Sequence, residues 1–190
     1  ISVGHMIARK GLPEFLELAR SMPQVRFFWF GYTAPELVPA VIREALANAP
    51  ENVTFPGYVS REELREAYCG CDVFAFLSHE ETEGIVVLEA LACGIPTVLR
   101  DIPVYEEWLH HGQEVYKAES QEDFRTQVEG LLDGTLPPLR EAGLALARGR
   151  SLEQMGRRLR AVYEREGLPY REEAPSVLAA LHKHIPLYFR

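Results

Sequence analysis

Residues 72–99 of the chain read DVFAFLSHEETEGIVVLEALACGIPTVL. A mostly apolar run at 72–77 is followed by a polar loop and then by a long apolar stretch that begins at Gly84. We interpret 72–77 as a buried strand, 85–92 as a helix and 96–99 as the next strand. A strand that is apolar on both faces is typical of a parallel sheet covered by helices on both sides. This stretch therefore predicts an α/β domain.

The same alternation of short apolar runs and amphipathic stretches continues along most of the chain. Further strands are predicted at residues 1–3, 25–30, 52–55 and 114–118, and further helices at 13–21, 35–48, 61–68, 104–110, 121–132, 139–147 and 152–165. Ser60 and Glu63 form a capping box at one predicted helix start. The alternation predicts a doubly wound, Rossmann-like parallel sheet with helices on both faces. Ligands of such sheets bind beyond the carboxyl ends of the strands.

Length, composition and charge exclude several classes of protein. The 190 residues, of which 47% are apolar, suffice for one domain with a substantial core but not for two full ones. The net charge of −8 argues against a nucleic-acid binder. No apolar run is long enough to span a membrane. Ile1 already lies in an apolar run without a signal peptide, so we expect a piece of a longer protein.

Cysteine usage points to a reducing compartment. Cys69, Cys71 and Cys93 are odd in number, and their spacing fits neither a redox centre nor a zinc site. We expect them to be small buried thiols. The predicted location is therefore cytoplasmic.

Glu89 is the one charged residue between Gly84 and Leu99. A helix that is apolar on every side is expected to be buried, and an unpaired buried charge is strongly unfavourable. Glu89 is thus either a ligand-binding carboxylate or a structural one that caps a backbone amide or pairs with an arginine. The sequence alone leaves both interpretations open.

The loop before Gly84 has the outline of an anion site. Free backbone amides at a helix N-terminus attract phosphate, and a glycine there permits close approach of the ligand. The carboxylates of Glu80, Glu81 and Glu83 would repel a phosphate unless they face sugar hydroxyls or solvent. His79 begins no HExxH motif, and we expect no metal and no cofactor.

The spacing of Glu81 and Glu89 is the most specific pattern in the chain. Together with the small residues that follow, it resembles the signature of retaining glycosyltransferases of the GT-B fold, family 4. Those residues are Ala90, Ala92, Gly94, Pro96 and Val98, and residues 3–4, 10–11, 29–31 and 53–59 are similar to further segments of the family. The resemblance covers most of the chain and implies the donor-binding, C-terminal half of such an enzyme.

The resemblance implies a role for particular residues. Glu89 is expected to bind the ribose of a nucleotide sugar, and Glu81 the hydroxyls of the transferred sugar. Arg9 and Lys10, otherwise interpretable as a solvated basic loop, would neutralise the departing diphosphate; with Glu81 they are the predicted catalytic residues. The remaining predicted donor-binding residues are Gly84, Ile85 and Val86 through their amides, Thr82, and Val59 with Tyr58 at the base.

One position departs from the family pattern. The family usually has an arginine directly after Val-Gly, where this chain has His5. Arg9 takes over the missing charge, or the phosphate is held less tightly. The sequence does not decide between these two possibilities.

A subgroup resemblance narrows the expected reaction. Residues 80–92 together with 100–105 resemble bacterial glycolipid synthases that move glucose from UDP-glucose onto diacylglycerol. The alternatives are a glycosyltransferase of capsular or cell-wall polysaccharide synthesis and a non-catalytic nucleotide-binding α/β module. A response-regulator or flavodoxin-like protein fits the alternation but leaves the two glutamates unexplained.

We expect residues 1–167 to form the nucleotide-sugar domain and 168–190 a tail with an apolar helix at 174–190. The tail is expected to pack on an absent N-terminal acceptor domain, or else to drive self-association. Residues 140–165 hold seven arginines and three glutamates, a basic face that contacts anionic lipid or simply faces solvent. The full-length enzyme would then be peripheral at the inner face of the membrane, and this fragment alone inactive.

Overall fold

The computed structural model describes residues 1–167. The chain divides into two compact units, Ile1–Arg150 and Ser151–Arg190. The first unit contains all the strands of the described chain and six of its α-helices. The predicted tail helix at 174–190 lies outside the described residues.

The strands form two three-stranded sheets in which every pairing is parallel. Their bounds are Ser2–Val3 (β1), Phe27–Phe30 (β2), Val53–Gly57 (β3), Phe74–Phe76 (β4), Thr97–Arg100 (β5) and Tyr116–Ala118 (β6). β1 lies at one edge of the first sheet and β4 at one edge of the second. The amide of Ala75 in β4 donates to the carbonyl of Ile1, beside β1, at 2.9 Å. The two sheets therefore meet at β1 and β4, where the winding direction reverses.

The α-helices have the bounds Leu12–Ser21 (α1), Ala40–Ala47 (α2), Arg61–Gly70 (α3), Ile85–Ala92 (α4), Gln121–Asp133 (α5), Arg140–Gly149 (α6) and Leu152–Arg165 (α7). The predicted capping box is present: Glu63 N donates to Ser60 Oγ at 3.2 Å, and Ser60 N donates to Glu63 Oε2 at 2.8 Å. The predicted doubly wound, Rossmann-like fold is confirmed.

The core has two apolar clusters. One contains Phe15 of α1, Trp29 of β2 and Phe124 of α5. The other contains Tyr68 of α3, Val87 of α4 and Phe74 of β4. The helices of the first unit thus bury apolar side chains in two separate layers, as expected for a sheet covered on both faces.

Two predicted helices are shorter than expected. At 35–48 a 3₁₀ turn, Pro35–Leu37, precedes α2 because Pro39 holds the residue before it in an extended conformation. At 104–110 there is only the 3₁₀ turn Pro103–Tyr105. Beyond that turn the amide of His110 donates to the carboxylate of Glu114 at 3.0 Å instead of continuing a helix.

Two burial predictions are wrong. α4 is not buried on every side: Ile85 is 59% exposed and Glu89 also lies on the open face, while Val87 and Leu91 pack inward. Glu89, the one charged residue of α4, marks this open face, whereas nothing in the sequence marks the apolar Ile85 as exposed on it. The cysteines are not fully buried either, since Cys69 is exposed on α3 and the other two are half-buried.

Candidate functional site

The predicted site residues converge where β1 and β4 end. The loop after β1 carries Arg9 and Lys10, and the loop after β4 carries residues 78–84. The two loops are joined by the amide of His79, which donates to the carbonyl of Arg9 at 2.9 Å, and by the guanidinium of Arg9, which donates to the carbonyl of Glu80 at 3.0 Å. The fold therefore brings together segments that are about 70 positions apart.

Gly11 permits this close approach of the two loops. Its φ of 75° lies in the left-handed region. A Cβ at this position would lie 2.2 Å from the carbonyl oxygen of Leu77 and 2.6 Å from its carbonyl carbon. Because both contacts are with backbone atoms, no side-chain movement could relieve them. Lys10 is thereby held directly against the end of β4.

Lys10 and Glu81 form a short ion pair. Lys10 Nζ lies 2.6 Å from Glu81 Oε1, and the two side chains are only 15% and 9% exposed. A partly buried, charge-assisted hydrogen bond of this length fixes both side chains. Lys10 thus neutralises the carboxylate that, judged from sequence alone, would repel a phosphate. Thr82 and Glu83, on the same loop, are exposed.

The N-terminus of α4 opens beside this pair. Gly84 is the N-cap, with φ 74° and ψ 43°, and no side chain caps the helix. The amides of Ile85 and Val86 occupy the first helical turn, where a helix provides no carbonyl partner. Together with the positive end of the helix dipole, they form a site suited to an anion.

Glu89 lies one helical turn beyond Ile85 on the exposed face of α4. Although the residue is exposed, its carboxylate lies beside Tyr68, whose hydroxyl donates to Glu89 Oε2 at 3.5 Å. Partial burial raises the pKa of Glu89, whereas the Tyr68 hydrogen bond and the charge of Arg61 lower it less strongly. Glu89 is therefore held by a neutral partner, which leaves carboxylate oxygens for a ligand.

Tyr58 and Val59 follow the end of β3. Tyr58 is 68% exposed. Val59 packs against the apolar cluster that includes Tyr68, as does Val86 of α4. The predicted base-binding turn thus adjoins the helices that carry and contact Glu89.

His5, which stands where the family has arginine, is exposed, and its Nδ1 lies 3.0 Å from the carbonyl oxygen of Tyr32. Arg9 is exposed and contacts the backbone of Glu80. Of the two predicted basic residues, Lys10 is the one whose charge meets Glu81.

Sequence reasoning missed two tyrosines at this site. Tyr68 contacts Glu89. The only hint in the sequence is that Tyr68, an aromatic residue with a polar hydroxyl, lies near the end of the predicted capped helix. Tyr105 is fully buried, and a Cβ at Gly84 would lie 2.7 Å from its hydroxyl oxygen. Tyr105 ends a segment, 100–105, that is singled out only for its subgroup resemblance, and nothing in the sequence around it marks its hydroxyl as part of the site.

Neither a metal cluster nor a membrane-spanning helix occurs in the described part of the chain. Across residues 1–167, no group of three or more His, Cys, Asp or Glu side chains is arranged to hold a metal ion. Over the same residues, no helix combines the length and apolar character that crossing a bilayer requires.

The glycosyl transferases group 1 family profile matches residues 1–143. The chain is 42% identical over 164 residues to the processive diacylglycerol alpha-glucosyltransferase of Acholeplasma laidlawii, which covers 86% of this chain and 49% of that protein. It is 34% identical over 109 residues to the alpha-galactosylglucosyldiacylglycerol synthase of Streptococcus pneumoniae, covering 56% of this chain and 29% of that protein. The chain thus spans about half or less of the length of these relatives.

A solved structure shares the fold at low sequence identity. HepE from Anabaena, in complex with UDP and glucose, superposes with a TM-score of 0.73 at 19% identity. The match covers 86% of this chain and 48% of HepE. The architecture of two joined parallel sheets is therefore shared with HepE.

Proposed function

Because the chain belongs to the glycosyl transferases group 1 family, we propose that it is the donor-binding domain of a retaining GT-B glycosyltransferase of family 4. The observation that carries this proposal is the Lys10–Glu81 ion pair beside the uncapped N-terminus of α4. It lies where the two sheets meet, the position at which doubly wound sheets bind ligands. The donor in this proposal is a nucleotide-diphospho-sugar.

The bound donor would extend along α4 and the loop before it. Its diphosphate meets Lys10 and the free amides at Gly84, Ile85 and Val86, with Arg9 near by, and no metal is required. The transferred sugar contacts Glu81 and the exposed Thr82, and the ribose hydroxyls donate to Glu89. The base lies against the backbone of Tyr58 and Val59.

The proposed transfer retains the configuration at the anomeric carbon. The bond between that carbon and the β-phosphate oxygen breaks, and the electron pair leaves with the nucleoside diphosphate. A bond to an acceptor hydroxyl oxygen forms on the same face, and the hydroxyl proton passes to the departing phosphate oxygen. Lys10 and the α4 amides stabilise the charge that accumulates on that phosphate.

UDP-glucose and a diacylglycerol-type lipid are the proposed donor and acceptor. Support comes from the names of the two curated relatives, one a diacylglycerol alpha-glucosyltransferase and the other an alpha-galactosylglucosyldiacylglycerol synthase, and from the UDP and glucose bound in HepE. Since the chain spans half or less of those relatives, a further domain would supply the acceptor site. The chain alone would then bind donor weakly and transfer nothing, which incubation with UDP-glucose and diacylglycerol vesicles tests.

The helix α7 supports a membrane-bound acceptor. Its exposed apolar side chains recur at helical spacing: Leu152, Met155, Leu159, Val162 and Tyr163. Arginines on the same helix suit an anionic lipid surface.

Vesicle co-sedimentation tests this role of α7. We expect the chain to co-sediment with phosphatidylglycerol vesicles but not with phosphatidylcholine vesicles, and Leu159→Glu to bind the phosphatidylglycerol vesicles more weakly. The exposed Leu37, changed to Glu, is the matched control; equal loss in both variants would contradict a role for α7.

Calorimetry tests the donor assignment. Wild type should bind UDP and UDP-glucose more tightly than ADP, and Glu89→Ala should bind both uridine ligands about tenfold more weakly through loss of a ribose hydrogen bond to a charged group. Circular dichroism of the variant checks that it is folded. Equal affinity of wild type and Glu89→Ala for UDP would refute the ribose assignment.

A further inference from the structure

The hydroxyl of Tyr105 is buried and has no hydrogen-bond partner among residues 1–167. The side chain is 0% exposed, and its Oη makes no hydrogen bond to any residue that the structure describes. A phenylalanine would fill the same space and pack against Trp108, whose ring centroid is 5.7 Å away, without burying an unpaired polar atom. The Tyr105 hydroxyl is therefore a polar group for which the described residues provide no hydrogen-bond partner.

The hydroxyl points at the site described above. A Cβ on Gly84 would lie 2.7 Å from Tyr105 Oη and 2.8 Å from Cε1, so the ring occupies the space that any other residue at 84 would need. Burial, and to a lesser extent the negative charge of Glu81, raise the pKa of Tyr105. The phenol therefore keeps its proton at physiological pH and is able to donate it in a hydrogen bond.

Glu81 is the acceptor that would need this hydrogen bond. The Glu81 carboxylate is paired with Lys10 at 2.6 Å and is almost wholly buried. A diphosphate bound at the N-terminus of α4 would compete for the same ammonium group. A buried carboxylate that loses its cation is strongly destabilised unless another donor replaces it.

We propose that Tyr105 is a positioning residue, whose hydroxyl donates a hydrogen bond to the Glu81 carboxylate when Lys10 turns to the diphosphate of the donor. This inference rests on the proposed function, because it requires a diphosphate at Lys10. The proposal gives the Tyr105 hydroxyl a hydrogen-bond acceptor when the donor is bound. It also explains the glycine at position 84, because a side chain there would occupy the space of the Tyr105 ring. Glu81 remains in place to contact the transferred sugar.

The test compares Tyr105→Phe with Tyr116→Phe in the full 190-residue chain, with UDP as the titrant. Tyr116 is the matched control because its hydroxyl already donates to the carbonyl of Pro137 at 2.9 Å. We expect Tyr105→Phe to bind UDP about tenfold more weakly, with a thermal midpoint no lower than wild type. Tyr116→Phe should show the reverse, a lower midpoint and unchanged affinity.

A double-mutant cycle with Glu81→Gln separates positioning from packing. Once the charge at 81 is removed, Tyr105→Phe should cause no further loss of UDP affinity. An unchanged affinity in Tyr105→Phe alone, or an equal loss in the Glu81→Gln background, overturns the proposal, as does a lowered thermal midpoint. Failure of wild type to bind UDP at all is a different result, which overturns the proposed function itself.

Discussion

The two glutamates of one motif, eight positions apart, lie in opposite surroundings. Glu81 is almost wholly buried and is held by the ammonium group of Lys10 at 2.6 Å. Glu89 lies on the open face of α4, with the neutral hydroxyl of Tyr68 at 3.5 Å and a raised pKa. The protein itself neutralises the first carboxylate, whereas the second has a neutral hydroxyl as its hydrogen-bond partner and binds the ribose in the proposed function.

The difference separates stability from binding within a single site. Substitutions at Lys10, Gly11 or Glu81 should weaken the fold, because Gly11 is packed against Leu77 at the end of β4 and Lys10 is paired with the buried Glu81 carboxylate. Substitution of Glu89 should leave the fold intact and weaken only ligand binding. Residues kept for a ligand are often suboptimal for stability.

The largest expected effect is the loss of stability in Gly11→Ala. The new Cβ would lie 2.2 Å from the carbonyl oxygen of Leu77 in a backbone with φ 75°, so backbone must move. We expect the free energy of unfolding to fall by about 3 kcal/mol or more. Gly112→Ala is the control: φ is 74° but no atom lies within 4 Å of its Cβ, so only about 1 kcal/mol should be lost. Urea denaturation measures the free energy of unfolding of both variants. Equal losses would contradict the claim that Gly11 is required for the close contact between its loop and Leu77.

The next effect is the removal of the cation at Lys10. Lys10→Met leaves the buried Glu81 carboxylate without a counter-charge, and we expect a loss of about 2 kcal/mol in unfolding free energy. Adding Glu81→Gln should recover most of it. Arg157→Met removes one partner of an exposed pair on α7 and should change stability by less than about 0.5 kcal/mol. Similar losses for the two single variants would mean that the Lys10–Glu81 pair behaves as a surface pair.

The smallest effect is a pH dependence at Glu89. Because its pKa is raised above 4.5, the folded chain binds this proton more readily than the unfolded chain does. The stability of wild type relative to Glu89→Gln should therefore increase as the pH falls through the raised pKa towards 4.5, and remain lower at neutral pH. Urea midpoints of both proteins between pH 7 and 4.5 measure this. An opposite slope would indicate a stabilising charge partner at Glu89.

Features confined to one segment of chain were predictable from the sequence. The bounds of α4, Ile85–Ala92, and of α7, Leu152–Arg165, agree with those predicted from apolar spacing and capping residues. The α/β architecture followed from strand–helix alternation. Glu89 could be singled out because one carboxylate in an otherwise apolar helix is unusual, whereas Glu81 was singled out only by its spacing from Glu89 in the family resemblance.

Contacts between distant segments could not be predicted. Lys10 and Glu81 are 71 positions apart, and no local pattern selects Lys10 over Arg9 as the partner of Glu81. Tyr68 and Tyr105 have the pattern of ordinary core aromatics, and only the three-dimensional packing places the Tyr68 hydroxyl beside Glu89 and the Tyr105 hydroxyl beside Gly84. The exposure of Ile85 on the open face of α4 is likewise a property of packing, since every residue of that helix except Glu89 is apolar.

The central claim is that the two glutamates bind different parts of one donor, and titration of two variants with UDP and UDP-glucose tests it most directly. We predict that Glu89→Ala weakens binding of both ligands about tenfold. Glu81→Gln should bind UDP at least as well as wild type, because Lys10 becomes free for the diphosphate. The increase in affinity from UDP to UDP-glucose should, however, be smaller in Glu81→Gln than in wild type. If both variants lose affinity for UDP alike, or neither alters the UDP-glucose to UDP ratio, the assignment of the two carboxylates is contradicted.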